Sequence, residues 1–215
     1  MEIFDKYALL YDEWYERPFG KSAYKLELEC LKSLYNQKGL SLEIGVGSGR
    51  FAQALGIKYG VDTSKGLLRM AHKRGVRPIL AKAEELPFKD SVFDSALIVV
   101  SLCFFEDPLA SLKEAYRVLK EGSFLLLGLV LSESPWAEFY REKAKKGHPI
   151  YSYAKFYSYP QLLSLIQSAG FKKDKAYTTL FEEPQDKYPV KNRRIVEGFS
   201  PEGGFFCLRA LKLSF

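Results

Sequence analysis

The sequence lacks a long hydrophobic run and a leader-like N-terminus. Its longest apolar stretches, residues 96–100 and 124–130, are far shorter than the roughly 20 residues that a membrane-spanning helix needs. Residues 1–6 contain neither the basic segment nor the apolar core of a secretory signal. We therefore expect a protein that has no membrane span, is not secreted and works in the cytoplasm.

Cysteine is scarce, since the 215 residues include three, Cys30, Cys103 and Cys207. An odd number of cysteines, widely spaced and set among apolar residues, is typical of buried thiols in a reducing cytosol. The same pattern argues against a disulfide framework or a metal site. We expect free thiols and no metal.

Low-complexity and repeated segments are also missing, and 47% hydrophobic residues with 14 Tyr and 16 Phe exclude a disordered chain. The length predicts a single domain over residues 1–215. The net charge of +6 comes from the second half, where 17 basic residues face 11 acidic ones, against 15 of each in residues 1–107. Basic clusters at 141–146, 172–175 and 191–194 suit an acidic partner such as RNA or, as we favour, a solvated surface.

The chain is organised around a glycine-rich segment at residues 42–50. Leu42 and Ile44 are typical of a buried strand, and Gly45, Gly47 and Gly49 let the backbone turn sharply while a ligand approaches closely. In open α/β sheets such a loop follows the first strand, where nucleotide-like ligands bind. The spacing differs from the Gly-x-Gly-x-x-Gly of dinucleotide enzymes, and the absence of Gly-Lys-Ser/Thr excludes a P-loop.

An acidic residue, Asp62, follows the second predicted strand, nineteen positions after Glu43. A carboxylate at this place can accept hydrogen bonds from both hydroxyls of a ribose. It could instead cap the helix that begins at Ser64, and the two roles are compatible. We favour ribose binding because of the glycine loop upstream.

Strand-length apolar runs alternate with amphipathic helical patterns along the chain. The alternation predicts an α/β fold with a doubly wound, Rossmann-like, seven-stranded, mostly parallel sheet, helices on both faces and a small aromatic cap. We divide the chain into an N-terminal helical lid (1–38), a cofactor-binding core (39–131), a cap insertion (132–157) and a C-terminal helix with strands (158–215).

Five motifs then follow one another in order: LEIGVGSG at 42–49, GVDTS at 60–64, AEELPF at 83–88, FD at 93–94 and EAYRVLK at 114–120. Together they resemble the class I S-adenosylmethionine-dependent methyltransferases, in the branch of ubiquinone-biosynthesis-type and other small-molecule enzymes. The resemblance runs continuously over about residues 40 to 130. It implies a methyltransferase fold and S-adenosylmethionine as the cofactor.

The resemblance also implies contacts for that cofactor. In chain order they are Glu43 for the loop and the methionine amino group, Gly45, Val46 and Gly47 beneath the cofactor, Asp62 with Thr63 at the ribose, Ala83 and Glu84 beside the adenine, and Val100 and Ser101 near the sulfonium. Two positions depart from the family pattern. Lys82 occupies the position of an acidic residue that usually accepts a hydrogen bond from the adenine amino group, which a lysine cannot do. Phe104-Phe105 occupies the position, near the end of the fourth strand, where many family members have a histidine or tryptophan.

The implied reaction is in-line displacement of the methyl group toward a small-molecule N, O or C acceptor. A sulfonium methyl is already activated, so a general base is optional, and the sequence offers His148, Tyr11 and Tyr15 as candidates without assigning a catalytic residue. For each candidate we favour a role other than that of a base. His148 is expected to be exposed, and the two tyrosines are expected to be packing or lid residues. We predict that an aromatic set roofs an acceptor pocket for an apolar, aromatic or cationic molecule, namely Tyr11, Trp14, Phe19, Trp136, Phe139, Tyr140 and Tyr151.

Two other functions fit the same sequence. The basic second half suits an RNA methyltransferase, although nucleic acid is the less favoured partner. Lys82 and the missing base suit a protein that binds S-adenosylmethionine with little catalysis. The acceptor and the oligomeric state stay open, because specificity in this fold depends on variable insertions.

Overall fold

A computed structural model describes residues 2–36 and 39–214 and contains one eight-stranded sheet in the order β3-β2-β1-β4-β5-β8-β6-β7. The strands are β1 Ser41–Ile44, β2 Tyr59–Asp62, β3 Arg77–Leu80, β4 Phe93–Val99, β5 Leu119–Leu129, β6 Lys172–Thr179, β7 Ile195–Glu197 and β8 Phe205–Leu211. The first five are parallel to one another, and β8, β6 and β7 are added as antiparallel pairs. The doubly wound α/β fold is therefore confirmed.

Helices cover both faces of this sheet. They are α1 Glu2–Lys6, α2 Ala8–Trp14, α3 Pro18–Lys32, α4 Arg50–Leu55, α5 Lys65–Lys73, α6 Pro108–Val118, α7 Pro135–Lys145 and α8 Tyr159–Ser168. Buried side chains of α3, α4 and α5 form one core, and those of α6 and α8 belong to a second. None of the helices in the described ranges combines the length and the hydrophobicity needed to cross a bilayer.

Strands β1 and β4 lie in the interior of the sheet, each between two other strands. All four residues of β1 are buried, and β4 is buried at every position except Asp94. Strands covered on both faces need such continuous apolar runs. The carboxyl ends of β1 and β4, where the candidate site lies, are therefore built on the most rigidly packed part of the molecule.

The sheet has eight strands, one more than the seven predicted. Strand β7, Ile195–Glu197, pairs antiparallel with β6 at the sheet edge and directly follows the basic cluster at 191–194. Its three residues are partly or fully exposed and show no alternating burial. An edge strand this short leaves no periodic signal, because only its backbone takes part in the sheet.

The cap insertion contains the unpredicted helix α7. Ser134 begins it by accepting a hydrogen bond from the Trp136 backbone N–H at 3.1 Å, and Pro135 occupies the first helical position. Serine followed by proline is a helix-start signal that the many aromatic residues of 132–157 obscured.

The N-terminal helices α2 and α3 are in direct contact. Pro18 begins α3, as its fixed φ allows at a first helical position. A Cβ on Gly20 would lie 2.0 Å from the Trp14 carbonyl oxygen. Glycine at position 20 therefore lets α3 pack directly against the end of α2.

The expectation of free thiols at Cys30 and Cys207 is wrong. The structure joins them in a disulfide between α3 and β8, with Cα atoms 6.6 Å apart and both residues fully buried. They are separated by 177 positions, so their pairing depends on how α3 packs on the sheet and not on local spacing. Cys103 stays a free thiol, and burial raises its pKa to about 12.

The disulfide can be tested by counting reactive thiols. Denatured protein without reductant should show one reactive thiol, that of Cys103, and three after reduction. Reduction should also lower the free energy of unfolding by about 2–4 kcal/mol, because the bond constrains a long loop of the unfolded chain. A Cys30→Ser/Cys207→Ser variant should be insensitive to reductant in the same melting experiment. Three reactive thiols in the unreduced protein would disprove the pairing.

Candidate functional site

Two adjoining cavities lie at the carboxyl ends of β1, β2 and β4. The glycine cavity, about 100 Å³, is lined by Phe4, Tyr11, Gly45, Gly47, Val61, Asp62, Thr63, Leu67, Ala81, Lys82, Ala83, Glu84, Val100, Ser101, Phe104, Phe105 and Glu106. The aromatic cavity, about 260 Å³, is lined by Leu10, Tyr11, Trp14, Tyr15, Arg17, Glu27, Val100, Cys103, Phe104, Leu129, Val130, Tyr140, His148, Ile150, Tyr151, Ala154 and Phe156. Tyr11, Val100 and Phe104 belong to both linings, so these residues form the seam between the cavities.

The glycine turn shapes the floor of the glycine cavity. Gly45, Gly47 and Gly49 have φ values of 73°, 52° and 81°, which L side chains rarely adopt. A Cβ on Gly45 would lie 2.5 Å from the Ser101 Cβ, whereas one on Gly47 would have only the Tyr11 ring nearby, at 3.8 Å. The glycines therefore serve two needs, since Gly45 permits close packing and Gly47 leaves backbone facing open space.

Asp62, at the end of β2, faces the same cavity. Its Oδ2 accepts the Gly47 N–H and its Oδ1 accepts the Ser64 N–H, each at 2.9 Å. Burial raises the pKa of Asp62, and these two amides, together with the Thr63 N–H, oppose that rise. A carboxylate offers about four acceptor positions, so Asp62 keeps capacity for a further hydroxyl donor. The capping of α5 is done by Ser64, whose Oγ accepts the Leu67 N–H at 3.1 Å.

Glu43 and Val46 lie behind the cavity and outside its lining. Glu43 is 1% exposed, its Oε2 has no partner within the described chain, and burial raises its pKa well above the ordinary value. The Val46 side chain packs on Gly60, where a Cβ would lie 2.6 Å away. Both residues thus support the turn, and their side chains do not face the open space.

Opposite charges meet at the end of the cavity formed by residues 82–84. Lys82 Nζ lies 3.0 Å from Glu106 Oε2, and this hydrogen bond raises the pKa of Lys82. Glu84 Oε1 accepts the Asp107 N–H at 3.2 Å. Two carboxylates therefore flank the lysine at this end, and Glu106 is a lining residue that the sequence analysis did not identify.

Val100 occupies the seam in an unusual conformation. Its φ is 46°, a left-handed value that is an outlier for a β-branched residue. The surroundings hold it there, because its N–H donates to the Gly128 carbonyl at 2.7 Å. Next to it, the Ser101 hydroxyl donates to the Ile44 carbonyl at 3.1 Å. Strain of this kind persists only where neighbouring contacts impose it, and it is frequent at ligand sites.

The predicted aromatic roof is divided by the structure. Tyr11, Trp14, Tyr140 and Tyr151 line the aromatic cavity, but Phe19, Trp136 and Phe139 do not. Trp136 is 1% exposed and stacks on Phe19 with ring centroids 5.0 Å apart. Its Nε1 donates to the Glu182 carbonyl at 3.2 Å. An aromatic pattern alone cannot separate these two groups, because the position of α7 on the sheet decides which rings face inward.

The three candidate bases line the cavity, but their environments keep them from that role. Tyr11 and Tyr15 share a hydrogen bond of 3.2 Å, and burial raises the pKa of both phenols, so they stay protonated near neutral pH. His148 is half-buried, and burial lowers its pKa. Its Nδ1 accepts the backbone N–H groups of Ile150 and Tyr151 at 3.3 and 3.4 Å, so the neutral ring carries its proton on Nε2 and has no free acceptor.

Glu27, on α3, is a lining residue that the sequence analysis missed. The residue is 7% exposed and lines the aromatic cavity, and burial raises the pKa of its carboxyl to about 8. No hydrogen bond or ion pair reaches it from any residue of the described ranges. The available signal was an acidic residue on the apolar stripe of α3, four positions after Ala23 and four before Leu31.

The N-terminal helices are attached to the glycine turn by Asp12. Its carboxylate accepts hydrogen bonds from Ser48, Arg50 and Arg74 at 2.5 to 2.9 Å. Burial alone would raise the pKa of Asp12, but these donors outweigh it and hold the pKa far below its ordinary value. Asp5 makes a second attachment, because its Oδ1 accepts from Ser64 Oγ and the Gly66 N–H.

Known proteins are similar to this chain over its whole length. A family model described as a methyltransferase domain matches residues 42–127. An uncharacterized protein of Methanocaldococcus jannaschii is 43% identical, over 99% of this chain and 100% of that protein. A solved S-adenosylmethionine-dependent methyltransferase of Thermotoga maritima, described as a possible histamine N-methyltransferase, is 38% identical with a TM-score of 0.88, and 98% of each chain is covered. A ubiquinone/menaquinone biosynthesis C-methyltransferase of Bartonella tribocorum is 33% identical, over 57% of this chain and 43% of that enzyme.

The raised pKa of Glu27 predicts a pH-dependent stability. Below about pH 4.5 the carboxyl is protonated in both folded and unfolded chains, but between there and about pH 8 only the unfolded chain ionises. The wild type should therefore lose stability relative to Glu27→Gln over this window, by at most about 1.4 kcal/mol per pH unit. Denaturant titrations at pH 4.5, 6, 7, 8 and 9 measure the difference, which should stop growing above pH 8.

Glu29→Gln is the matched control, since Glu29 is an exposed residue of the same helix and pairs with Arg193 at 3.2 Å. Its stability should follow that of the wild type at each of these pH values. A Glu27→Gln curve that runs parallel to the wild type throughout would show that the Glu27 carboxyl ionises normally.

Proposed function

Since this chain belongs to the S-adenosylmethionine-dependent methyltransferases, we propose that it methylates a small-molecule acceptor bound in the aromatic cavity. The carrying observation is the seam, where Tyr11, Val100 and Phe104 line both cavities. A methyl donor in one cavity and an acceptor in the other can meet there without water between them. The volume of about 260 Å³ suits a small molecule.

The glycine cavity has the features that the cofactor requires. Gly47 leaves room where a side chain would intrude, and Asp62 keeps acceptor capacity. We propose that Asp62 with Thr63 receives the ribose, and that Gly45 and Gly47 lie beneath the methionine portion. Glu43 and Val46 lie outside the lining of the glycine cavity and support the glycine turn.

At the end of the glycine cavity formed by residues 82–84, we propose that Ala83 and Glu84 border the adenine. The Lys82 ammonium group is paired there with the Glu106 carboxylate. Val100 and Ser101 border the sulfonium. S-adenosylmethionine supplies a methyl group already activated by positive charge on sulfur. The protein's own contribution is to orient the acceptor, exclude water and accept any proton that must leave.

The helices α1 and α2 support this proposal, because α1 contributes to the lining of the glycine cavity and α2 to the linings of both cavities. Phe4, Tyr11 and Trp14 contribute side chains to the linings. The hydrogen bonds from Ser48, Arg50 and Arg74 to Asp12 hold α2 against the glycine turn. We propose that the helices must move for ligands to enter.

RNA methylation receives no comparable support. In the basic cluster at 141–146, Arg141 lies 3.3 Å from Glu138 and Lys143 lies 2.6 Å from Asp186. In the cluster at 191–194, Arg193 pairs with Glu29. Such paired charges offer less attraction to phosphates than free ones. A cofactor-binding protein with little catalysis remains the alternative that only a turnover measurement separates from an enzyme.

We also propose that the protein works in the cytoplasm. The Cys30–Cys207 disulfide does not contradict this, since both cysteines are fully buried. A disulfide out of reach of thiolates exchanges slowly with cellular reductants. Its presence is therefore compatible with a reducing compartment.

A methyl-transfer screen tests the proposed function. Labelled S-adenosylmethionine should transfer its methyl group to at least one member of a panel of amines, phenols, quinols, thiols and RNA, and we expect the acceptor among the small molecules. Histamine belongs in the panel because of the description given to the Thermotoga maritima protein. Cofactor binding without transfer to any acceptor would favour the cofactor-binding alternative.

Asp62→Ala should weaken binding of S-adenosylhomocysteine at least about 10-fold, because the ribose loses a charged acceptor. Calorimetry measures the dissociation constant. Asp90→Ala is the control, since this exposed carboxylate pairs with Arg117 away from both cavities. Undiminished affinity of Asp62→Ala would remove Asp62 from the cofactor site.

The two tryptophans should respond differently to truncation. Trp14→Ala should raise KM for the acceptor with little effect on cofactor affinity, because Trp14 lines the aromatic cavity. Trp136→Ala should instead lower the free energy of unfolding by about 3–5 kcal/mol, because it leaves a void behind Phe19. Steady-state kinetics and denaturant titrations separate the two. Unchanged turnover in Trp14→Ala would contradict the acceptor assignment.

A further inference from the structure

We propose that Glu27 selects acceptors bearing a protonated amine, and that its carboxylate pairs with the ammonium group and takes the proton that must leave before methylation. This inference rests on the proposed function, since it names the acceptor class of the aromatic cavity. It assigns to Glu27 the role of general base that neither His148 nor the tyrosines can fill.

The isolation of Glu27 is the first observation. The residue is 7% exposed, it lines the aromatic cavity, and no donor within residues 2–36 or 39–214 reaches its carboxyl. Burying a carboxyl without a partner is unfavourable, and structures usually provide a hydrogen bond or a counter-ion. A cationic ligand would supply the missing partner.

The walls around Glu27 are the second observation. Trp14, Tyr140 and Tyr151 line the same cavity, and Tyr140 and Tyr151 are tilted neighbours with centroids 4.5 Å apart. Aromatic rings attract a cation through their faces, and this attraction grows when water is excluded. The cavity therefore favours an ammonium group beside a carboxylate and, next to it, an apolar or aromatic body.

The other titratable groups near Glu27 do not compete for the proton at neutral pH. The phenols that interact with it or share its cavity are Tyr11, Tyr15, Tyr24, Tyr140 and Tyr151, and burial raises the pKa of each. Burial likewise raises the pKa of the Cys103 thiol to about 12 and lowers that of His148. Arg17, exposed at the cavity, makes no ion pair with Glu27.

Glu27 therefore titrates in the range where an amine exchanges its proton, with a pKa that burial raises to about 8. Bases of this strength suit proton removal near neutral pH. Below pH 8 the empty cavity holds mostly the neutral acid, which cannot pair with an ammonium group. Binding of a charged amine should thus strengthen as the pH rises toward 8.

The reaction step balances in protons and electrons. Glu27 takes one proton from the ammonium nitrogen and frees its lone pair. That nitrogen forms the bond to the methyl carbon of S-adenosylmethionine as the carbon–sulfur bond breaks, and the electron pair of the broken bond stays on sulfur. The products are a methylated ammonium, neutral S-adenosylhomocysteine and one proton, which Glu27 returns to solvent.

A binding experiment tests the recognition step without knowledge of the natural acceptor. The probes are 2-phenylethylamine and 2-phenylethanol, two molecules of similar shape of which only the amine is charged. With saturating S-adenosylhomocysteine at pH 8.5, calorimetry on the full chain should show at least about 10-fold tighter binding of the amine. Glu27→Gln should lose this preference, and Glu29→Gln should keep it.

Kinetics test the proton transfer. For an amine acceptor found in the screen, Glu27→Gln should lower kcat/KM about 30-fold or more. In the wild type kcat/KM should rise near pH 8 and fall where the free amine loses its charge, whereas in Glu27→Gln it should rise only as the amine itself is deprotonated. Glu27→Asp should recover part of the activity. The dissociation constant of S-adenosylhomocysteine should change less than about 2-fold in both variants.

Each outcome separates this inference from the proposed function. Methylation of a phenol or thiol by a wild type that does not prefer the amine probe would overturn the inference and leave the proposed function intact. An amine preference that survives in Glu27→Gln would overturn the role of Glu27 in the same way. Failure of the wild type to bind S-adenosylhomocysteine would overturn the proposed function and this inference together.

Discussion

The close approach of the glycine turn to the end of β4 is the constraint on which the site depends. A side chain on Gly45 would overlap Ser101, so the turn after β1 can approach the end of β4 this closely only with glycine at position 45. The Ser101 hydroxyl binds the Ile44 carbonyl across this contact, and Val100 beside it is forced into a left-handed conformation. The same contact sets the seam where a methyl donor and an acceptor can meet.

Charge then holds the N-terminal helices over that seam. Asp12 is surrounded by donors from the glycine turn, α4 and the end of α5, namely Ser48, Arg50 and Arg74. Because Ser48 belongs to the glycine turn, α2 is attached to the same backbone that forms the cavity floor. Gly20 lets α3 pack directly against Trp14 at the end of α2.

The buried carboxyls of this protein divide by their partners. Asp12 receives several donors and stays ionised, and Asp62 receives backbone amides and keeps capacity for more. Glu27 receives none, and burial therefore acts on it unopposed. A group in that state costs stability, and its position in the aromatic cavity gives a reason for tolerating the cost.

The sequence by itself determined the features that local patterns encode. The alternation of strands with helices identified the doubly wound fold, and the five ordered motifs carried the resemblance that implied the cofactor class. Only the tertiary structure decided the Cys30–Cys207 bond, the edge strand β7, the division of the aromatic residues and the isolation of Glu27. These depend on contacts between distant segments, and nothing in the local sequence states whether Trp136 faces the core or Glu27 faces a cavity.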